Sequence, residues 1–322
     1  MLYPLTFQPI FKERVWGGRR LEQLYGKALP ADVPIGEAWE IADRPEATSV
    51  IANGPLAGQD LRWLMENHPA EMLGPAYSAV GRFPLLIKLL DAREKLSLQV
   101  HPPAAVAAAL GGEPKTELWY IADAAPGAEL YVGLRQGVVR ADFERCIQDG
   151  SVADCFHRIP VAVGDVMFLP SGRVHAIGAG LVIFEIQQNS DTTYRVFDWN
   201  RVGLDGKPRE LHIPQSLASI DFNDFEPSLL SEPFTQQGAQ QVRPLVRDPL
   251  FIVEAQRAEA GANIALRPGR MQIIALLAGR MQVGGDQTTV ALAPGQFCLL
   301  PASLATLALR AETTVAFLRV EL

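Results

Sequence analysis

The feature that most constrains the fold is a strand-and-turn pattern that occurs twice, in segments 164–170 and 295–301. These segments are Gly-Asp-Val-Met-Phe-Leu-Pro and Gly-Gln-Phe-Cys-Leu-Leu-Pro. Each places a short apolar run between a glycine turn and a proline, which is typical of a β-strand. His175 lies five residues after the first proline, whereas Thr306 occupies that place in the second copy. The repeat therefore predicts two related β-units, of which only the first carries a histidine here.

The rest of the chain also indicates many short strands. Gly (27) and Pro (24) are abundant among the 322 residues, and repeated turns between strands account for this better than long helices do. From Leu250 onward, apolar runs alternate with glycine and proline turns, so every element there is predicted to be a strand. Short helices are predicted over 59–73, 140–149 and 212–222. We therefore expect a mainly β protein with two jelly-roll β-sandwich domains and a few short helices inserted in the N-terminal part.

Four polar residues of the first unit are candidate metal ligands. Gln99 and His101 are two apart in an alternating apolar segment, so the period of a strand puts both side chains on one face. Glu117 stands in the next apolar run, and His175 begins a strand. Two imidazole nitrogens with a carboxylate and an amide oxygen suit Zn²⁺, but two histidines and a carboxylate also form the ligand set of non-haem iron. The ligands alone leave both metals open.

The segment that ends at His175 resembles the second motif of the cupin family, G-x5-P-x-G-x2-H. Every fixed position matches except the terminal asparagine, where Ala179 stands. The first cupin motif is degenerate, since Gln99 takes the place of its first histidine before His101 and its glutamate is delayed to Glu117. This departure indicates a subfamily.

A closer resemblance covers most of the chain. The blocks QVHP, KTELWYI, LPSGRVHAIG, IQQNSDTTYRVFDWNR and GKPRELH, with WGG and GEAWE upstream, are similar to the short form of type I mannose-6-phosphate isomerase. The resemblance implies a double cupin scaffold that interconverts mannose 6-phosphate and fructose 6-phosphate by proton transfer through an enediol. It also decides for zinc, one ion per chain, as the metal held by the four candidate ligands. Residues 1–230 would form the catalytic cupin domain and 231–322 a metal-free cupin-like β-domain.

Candidate catalytic residues lie close to the ligands in sequence. Glu185 is the carboxylate of an otherwise apolar strand, where burial should raise its pKa toward useful base strength; the alternative is a structural ion pair with an arginine. Lys115 precedes Glu117 by two residues, so a regular strand would point both into one pocket. Arg195 matches the arginine of the family's active site, and it forms a basic group with Lys207 and Arg209 that suits phosphate.

Composition limits the partners that we expect. The net charge of −7 argues against nucleic acid, and no apolar run is long enough to span a membrane. An N-terminal signal peptide is not predicted, and the three cysteines (Cys146, Cys155 and Cys298) are expected to be reduced thiols of a cytoplasmic protein. A phosphorylated hexose is the expected partner, bound by a monomer or weak homodimer. The polar segment 223–248 predicts a linker or an irregular crossing.

Two further functions fit the same residues. The first is a non-catalytic, sugar-binding cupin with a structural metal ion, and the second is an iron-dependent cupin oxygenase. A structural ion would need neither Glu185 nor Arg195, so these two residues favour the enzyme. His68, His157 and His212 are expected to be structural or solvated, with His212 also a candidate for a phosphate site.

Overall fold

In a computed structural model of the chain, which describes residues 2–77, 81–285 and 288–322, the secondary structure is mainly β. None of the helices in these ranges is long and apolar enough to cross a membrane. The α-helices and strands that precede residue 230 are β1 (Ile10–Gly18), α1 (Arg20–Tyr25), β2 (Ile35–Ile41), β3 (Asp43–Arg44), β4 (Ala47–Thr48), α2 (Leu61–Asn67), α3 (Pro69–Leu73), β5 (Leu85–Ala92), β6 (Leu98–Val100), α4 (Ala104–Ala107), β7 (Glu117–Ala124), β8 (Glu129–Leu134), α5 (Arg140–Asp149), β9 (Phe156–Pro160), β10 (Val166–Leu169), β11 (His175–Ile177), β12 (Leu181–Gln188), β13 (Tyr194–Phe197) and α6 (Ile213–Ser219). Short 3-10 helices cover Pro75–Tyr77, Ala108–Leu110 and Val152–Cys155.

The remaining elements are all strands, which confirms the prediction made for the chain from Leu250 onward. They are β14 (Thr235–Gln237), β15 (Gln240–Arg247), β16 (Ile252–Ala258), β17 (Asn263–Ala265), β18 (Gln272–Ala278), β19 (Met281–Gly285), β20 (Thr288–Leu292), β21 (Phe297–Leu300), β22 (Leu307–Ala311) and β23 (Val315–Glu321).

The linker predicted over 223–248 is wrong in its second half, because β14 and β15 form a hairpin there. The hairpin lies at the edge of a sheet, where all of β14 is exposed and β15 buries Val242 and Leu245. Since an edge hairpin with one solvated face needs few apolar residues, its composition resembles that of a loop.

The predicted helices are present, with changed ends. The helix over 140–149 is α5, and Gly150 ends it in the left-handed conformation, at φ 81°. The segment 59–73 is divided into α2 and α3, because Pro69 begins α3 and has no N–H with which to continue the hydrogen bonds of α2. Helix α6 is shorter than the predicted segment 212–222.

Apart from the two-stranded sheet β3-β4, the strands form two β-sandwiches whose six-stranded sheets have corresponding strand orders. The first contains a six-stranded sheet, β1-β2-β5-β12-β7-β10, and a five-stranded sheet, β13-β6-β11-β8-β9. The second contains a six-stranded sheet, β14-β15-β16-β23-β18-β21, and a four-stranded sheet, β17-β22-β19-β20. The repeated sequence pattern therefore matches a structural repeat, in which β10 and β21 take the same edge position. Gly164 and Gly295, in the turns before them, have φ of 93° and 75°. The domain division at residue 230 falls between α6 and β14 and stays a prediction.

The two six-stranded sheets pack face to face through one apolar cluster. Phe184 of β12 belongs to this seam, together with Phe251 and Ile273 of the second sandwich. Because side chains alternate along a strand, Glu185 points the other way, into the first sandwich, where its carboxylate bonds Trp119. Polar side chains therefore lie at one end of the interior of the first sandwich. The candidate site is at this end.

Candidate functional site

Three of the predicted ligands converge at the polar end of the first sandwich. His101 follows β6, Glu117 begins β7, and His175 begins β11. Their ligand atoms all lie within 4.8 Å of one another, with Glu117 Oε1 3.3 Å from His175 Nε2 and 3.4 Å from His101 Nε2. The two histidines are 1% exposed and the glutamate 0%, so a buried carboxylate faces two buried imidazoles.

The surrounding backbone sets both imidazoles for metal binding. His101 Nδ1 donates to the carbonyl of Thr192 at 2.7 Å, and His175 Nδ1 donates to the carbonyl of Arg173 at 2.9 Å. With the proton on Nδ1, each neutral ring directs the lone pair of Nε2 toward Glu117. Burial, and then the neighbouring His101, lower the pKa of His175 to about 3, so this ring is neutral at neutral pH. Burial and Lys115 lower the pKa of His101 as well.

The carboxylate of Glu117 completes a donor set that fits a divalent cation. Burial alone would raise its pKa, but Lys115 and His101 outweigh burial and hold the pKa well below the usual range. Neither carboxylate oxygen accepts a hydrogen bond of normal geometry from a group in the described residues, and Lys115 Nζ lies 3.1 Å from Oε2. A buried anion without hydrogen bonds is costly unless a cation neutralises it. Two imidazole nitrogens and this carboxylate supply such a site.

Gln99 lies beside the triad. It is directly opposite His175 in the pairing of β6 with β11, and its side-chain Nε2 is 3.3 Å from His175 Nε2. The amide oxygen accepts a hydrogen bond from Ser97 Oγ at 3.1 Å. Rotation of the amide by about 180° exchanges oxygen and nitrogen without moving the backbone. Its role as a fourth ligand stays a prediction.

A cavity of about 520 Å³ opens beside the triad and brings together all three predicted catalytic residues. Glu185, Lys115 and Arg195 are on its wall. Arg209 also lines the cavity, whereas Lys207 is exposed and is absent from the wall. Of the three residues in the predicted basic group, Arg195 and Arg209 therefore line the cavity and Lys207 does not.

Glu185 is held in a buried ion pair. Its Oε2 lies 3.2 Å from Lys88 Nζ, and its Oε1 accepts the indole N–H of Trp119 at 2.8 Å. The alternative prediction for Glu185 was an ion pair with an arginine, and the cation is instead a lysine. Burial raises the pKa of Glu185 against the opposing effect of Lys88, as the sequence predicted.

Arg195 differs from the other cations of the cavity wall. Within the described residues, Arg14, Lys88, Lys115 and Arg209 each have a carboxylate within 4.0 Å, and Arg195 has none. Its Nη1 donates to the carbonyl of Glu210 at 2.7 Å, and its Nε is buried without a partner. Strand pairing places Arg195 next to Gln99, on the side away from His175. A guanidinium with free donors beside the metal site is suited to an anionic ligand.

Sequence reasoning missed two residues of this site, Glu37 and Lys88. Lys88 lies in an apolar strand and bonds both Glu185 and Glu37, and all three line the cavity. A lone lysine in a continuous apolar run was a signal that could have found it, because a buried ammonium requires partners. His212, a candidate for phosphate, instead accepts a hydrogen bond from the backbone N–H of Arg195 at 3.3 Å.

The repeat of the sandwich and its buried imidazole–carboxylate centre define a double cupin protein with a metal-binding site in its first unit. The family model of the phosphomannose isomerase type I catalytic domain matches residues 5–123. A mannose-6-phosphate isomerase of Streptococcus mutans is 36% identical over 304 residues, which cover 94% of this chain and 93% of that one. A probable mannose-6-phosphate isomerase of Bacillus subtilis is 41% identical over 222 residues, covering 68% and 69%. The crystal structure of mannose 6-phosphate isomerase from Bacillus subtilis superposes with a TM-score of 0.91 at 30% identity, over 100% of both chains. The chain belongs to the mannose-6-phosphate isomerase family.

Proposed function

We propose that this protein is a metal-dependent aldose–ketose isomerase that interconverts mannose 6-phosphate and fructose 6-phosphate. The observation that carries the proposal is the cavity itself, in which a buried carboxylate and an arginine that has no carboxylate partner among the described residues lie beside the imidazole–carboxylate triad. Isomerisation moves one proton between C1 and C2 and another between the oxygens on these carbons, so it requires a base, a hydrogen-bonding group at the hydroxyls and positive charge close to the sugar oxygens. Family membership supports the choice of substrate.

We propose zinc as the metal, with His101, Glu117 and His175 as ligands and the amide oxygen of Gln99 as the fourth. When bound, the ion would polarise the C1 and C2 oxygens and stabilise an enediolate. The ligands carry a single negative charge, which leaves positive charge at the site. One ion per chain is expected, since Thr306 replaces the histidine in the second unit.

Glu185 is the proposed base. It takes the proton from one carbon and returns it to the other, and burial supports this role because it raises the carboxyl pKa. Lys115 is the proposed hydrogen-bond donor to the sugar hydroxyls. Its Nζ lies 3.3 Å from His101 Nε2 and 3.1 Å from Glu117 Oε2, which keeps the ammonium at the edge of the metal site. Arg195 is the proposed contact for an anionic oxygen of the substrate.

The non-catalytic alternative accounts for fewer of the observations. A structural ion would not require a cavity lined by Glu185, Lys115 and Arg195. A coupled assay of mannose 6-phosphate conversion on the metal-loaded protein, with and without chelator, tests the proposal directly. Turnover that disappears with chelator supports it. Metal-loaded protein without turnover would favour the sugar-binding alternative, and tightly bound iron would favour an oxygenase. The cytoplasmic location and the monomeric or weakly dimeric state stay predictions.

Substitution of Arg195 by alanine tests its proposed role. We expect the metal content to be unchanged and kcat/KM to fall by at least about tenfold, because a charge-assisted contact to the substrate is lost. Lys207→Ala is the matched control, since Lys207 comes from the same predicted basic group and is exposed away from the cavity wall. Near-normal kinetics of Arg195→Ala would remove Arg195 from the site.

A further inference from the structure

Four buried side chains lie side by side across the six-stranded sheet, next to the metal site. Strand pairing aligns Trp39 of β2 with Lys88 of β5, Lys88 with Glu185 of β12, and Glu185 with Trp119 of β7. Lys88 and Glu185 are each 3% exposed, so their charges interact with little screening by water. The row places a single ammonium next to the proposed base.

A second carboxylate shares that ammonium. Glu37 Oε2 lies 3.5 Å from Lys88 Nζ, compared with 3.2 Å for Glu185 Oε2. Glu37 is also bonded by Arg14 Nε at 2.7 Å and by the indole N–H of Trp39 at 2.6 Å. Two cations and two carboxylates therefore form a cluster without net charge, in which Glu37, Lys88 and Glu185 are buried and Arg14 is partly exposed.

The two carboxylates have opposite properties within this cluster. Burial opposes ionisation of Glu37, but Lys88 and Arg14 outweigh it and lower the pKa of Glu37 to about 2. Glu185 has fewer donors, and burial raises its pKa. Two carboxyl groups whose environments separate their pKa values in this way have different tasks, and the group with the raised pKa is suited to proton transfer.

We infer that Glu37 is a positioning residue for the isomerisation, which acts by drawing Lys88 partly away from Glu185. This inference rests on the proposed function, in which Glu185 is the base. Without the charge of Glu37, the ammonium of Lys88 would pair with Glu185 alone, and the carboxylate would become a weaker base. Arg14 has the opposite effect, because it neutralises part of the charge of Glu37.

The charged and titratable groups near Glu185 come from several elements. Those of the cluster, the cavity wall and the adjoining metal site are Glu13, Arg14, Glu37, Lys88, His101, Lys115, Glu117, His175, Asp191, Arg195, Asp205 and Arg209. The substitutions below change Glu37 and Arg14, and within the described part of the chain neither residue is hydrogen-bonded or ion-paired to His101, Glu117 or His175.

The pH dependence of kcat/KM distinguishes positioning from a structural role. For Glu37→Gln, we expect the low-pH limb of the kcat/KM profile to move to lower pH by roughly one unit. Without the charge of Glu37, Lys88 interacts more strongly with Glu185 and lowers the pKa of this base. At neutral pH, kcat should be lower by up to about tenfold, the Brønsted limit for a fall of one unit in the pKa of the base, while KM changes by less than about twofold. For Arg14→Met, the limb should move up, since one cation is lost from the cluster. Titration of the substrate itself cancels, because all variants are compared with the unchanged enzyme.

Glu37→Asp is the conservative variant, because it keeps the carboxylate. Its low-pH limb should lie closer to that of the unchanged enzyme than the limb of Glu37→Gln does. Metal content and Tm, measured on every variant, identify a purely structural effect. An unshifted limb and normal kcat in Glu37→Gln would overturn the inference, as would limbs that move in the same direction in both variants. If Glu37→Gln does not fold, Arg14→Met decides by itself, because an unmoved or lowered limb contradicts the inference. Absence of turnover in the unchanged enzyme would instead contradict the proposed function.

Discussion

Replacement of His175 by alanine should leave the protein without its bound metal and lower turnover by at least about a hundredfold. Loss of an outer hydrogen-bond partner of a ligand already costs about 10–100-fold in affinity or activity, so loss of the ligand itself should cost no less. His175 Nε2 faces Glu117 Oε1 at 3.3 Å, and its Nδ1 is held by the backbone, so alanine removes a nitrogen that is fixed toward the carboxylate. The same result is expected for His101→Ala.

Metal analysis and thermal unfolding give independent measures of this prediction. The unchanged protein should lose several degrees of Tm on treatment with chelator, since a bound ion at about a hundredfold above its Kd stabilises the fold by about 2.7 kcal/mol. The His175→Ala protein should show no such response. His68→Gln is the control, because His68 joins α2 and α3 and does not line the cavity. If His175→Ala still holds one tightly bound ion per chain, the proposed ligand set is wrong.

The convergence of His101, Glu117 and His175, the candidate ligands, could be predicted from patterns in the sequence. The spacing of Gln99 and His101 follows the period of a strand, and the turn before His175 has a recognisable sequence. Glu117 is farther along the chain, yet it begins the strand that pairs with the strand of the repeated turn. These relations depend on strand order, which the repeat indicates.

The charges around Glu185 could not be predicted in the same way. Glu37, Lys88 and Glu185 come from three separate strands, and their contact depends on the register of β2 with β5 and of β5 with β12. A block that contains Glu37 contributed to the resemblance, but the block alone gives no partner for its carboxylate. A slip of one residue in either pairing would turn one of these side chains to the opposite face of the sheet. Such cross-strand clusters are established by tertiary structure.

The repeat also supports the prediction that the second unit is metal-free. Gln272 begins β18 opposite Leu300 of β21, as Glu117 begins β7 opposite Leu169 of β10. An amide therefore stands where the first unit has its carboxylate ligand. The pair that corresponds to Lys88 and Glu185 is also present with its charges exchanged, as Glu254 and Arg319, whose atoms are 3.0 Å apart. The second sandwich thus has polar residues at the positions that correspond to Glu117, Lys88 and Glu185, but their chemical groups differ.

Removal of residues 231–322 should give insoluble or unfolded protein rather than a folded, inactive first unit. The seam between the six-stranded sheets would then expose apolar side chains that are now buried, at a cost of roughly 25 cal/mol per Å². Phe184 would lose its ring contact with Phe297, at 5.5 Å between centroids. The N-terminal segment would also lose two backbone hydrogen bonds of 2.8 Å that join Leu5 to Leu299. The second unit thus contributes stability to the sheet that carries Glu117 and Glu185.

A point substitution in the same seam tests this role in the full chain. Phe251 is fully buried and contacts the ring of Phe168, so Phe251→Ala should lower the free energy of unfolding by about 3–5 kcal/mol. The neighbouring Leu250 is 38% exposed, and Leu250→Ala should change it by less than about 0.5 kcal/mol. Urea unfolding of both variants measures the change in the free energy of unfolding. Solubility and metal content of the truncated chain test the prediction for the deletion. A soluble fragment of residues 1–230 with native metal content and full turnover would show that the second unit is dispensable, because the first sandwich would then hold its polar end in place without the seam.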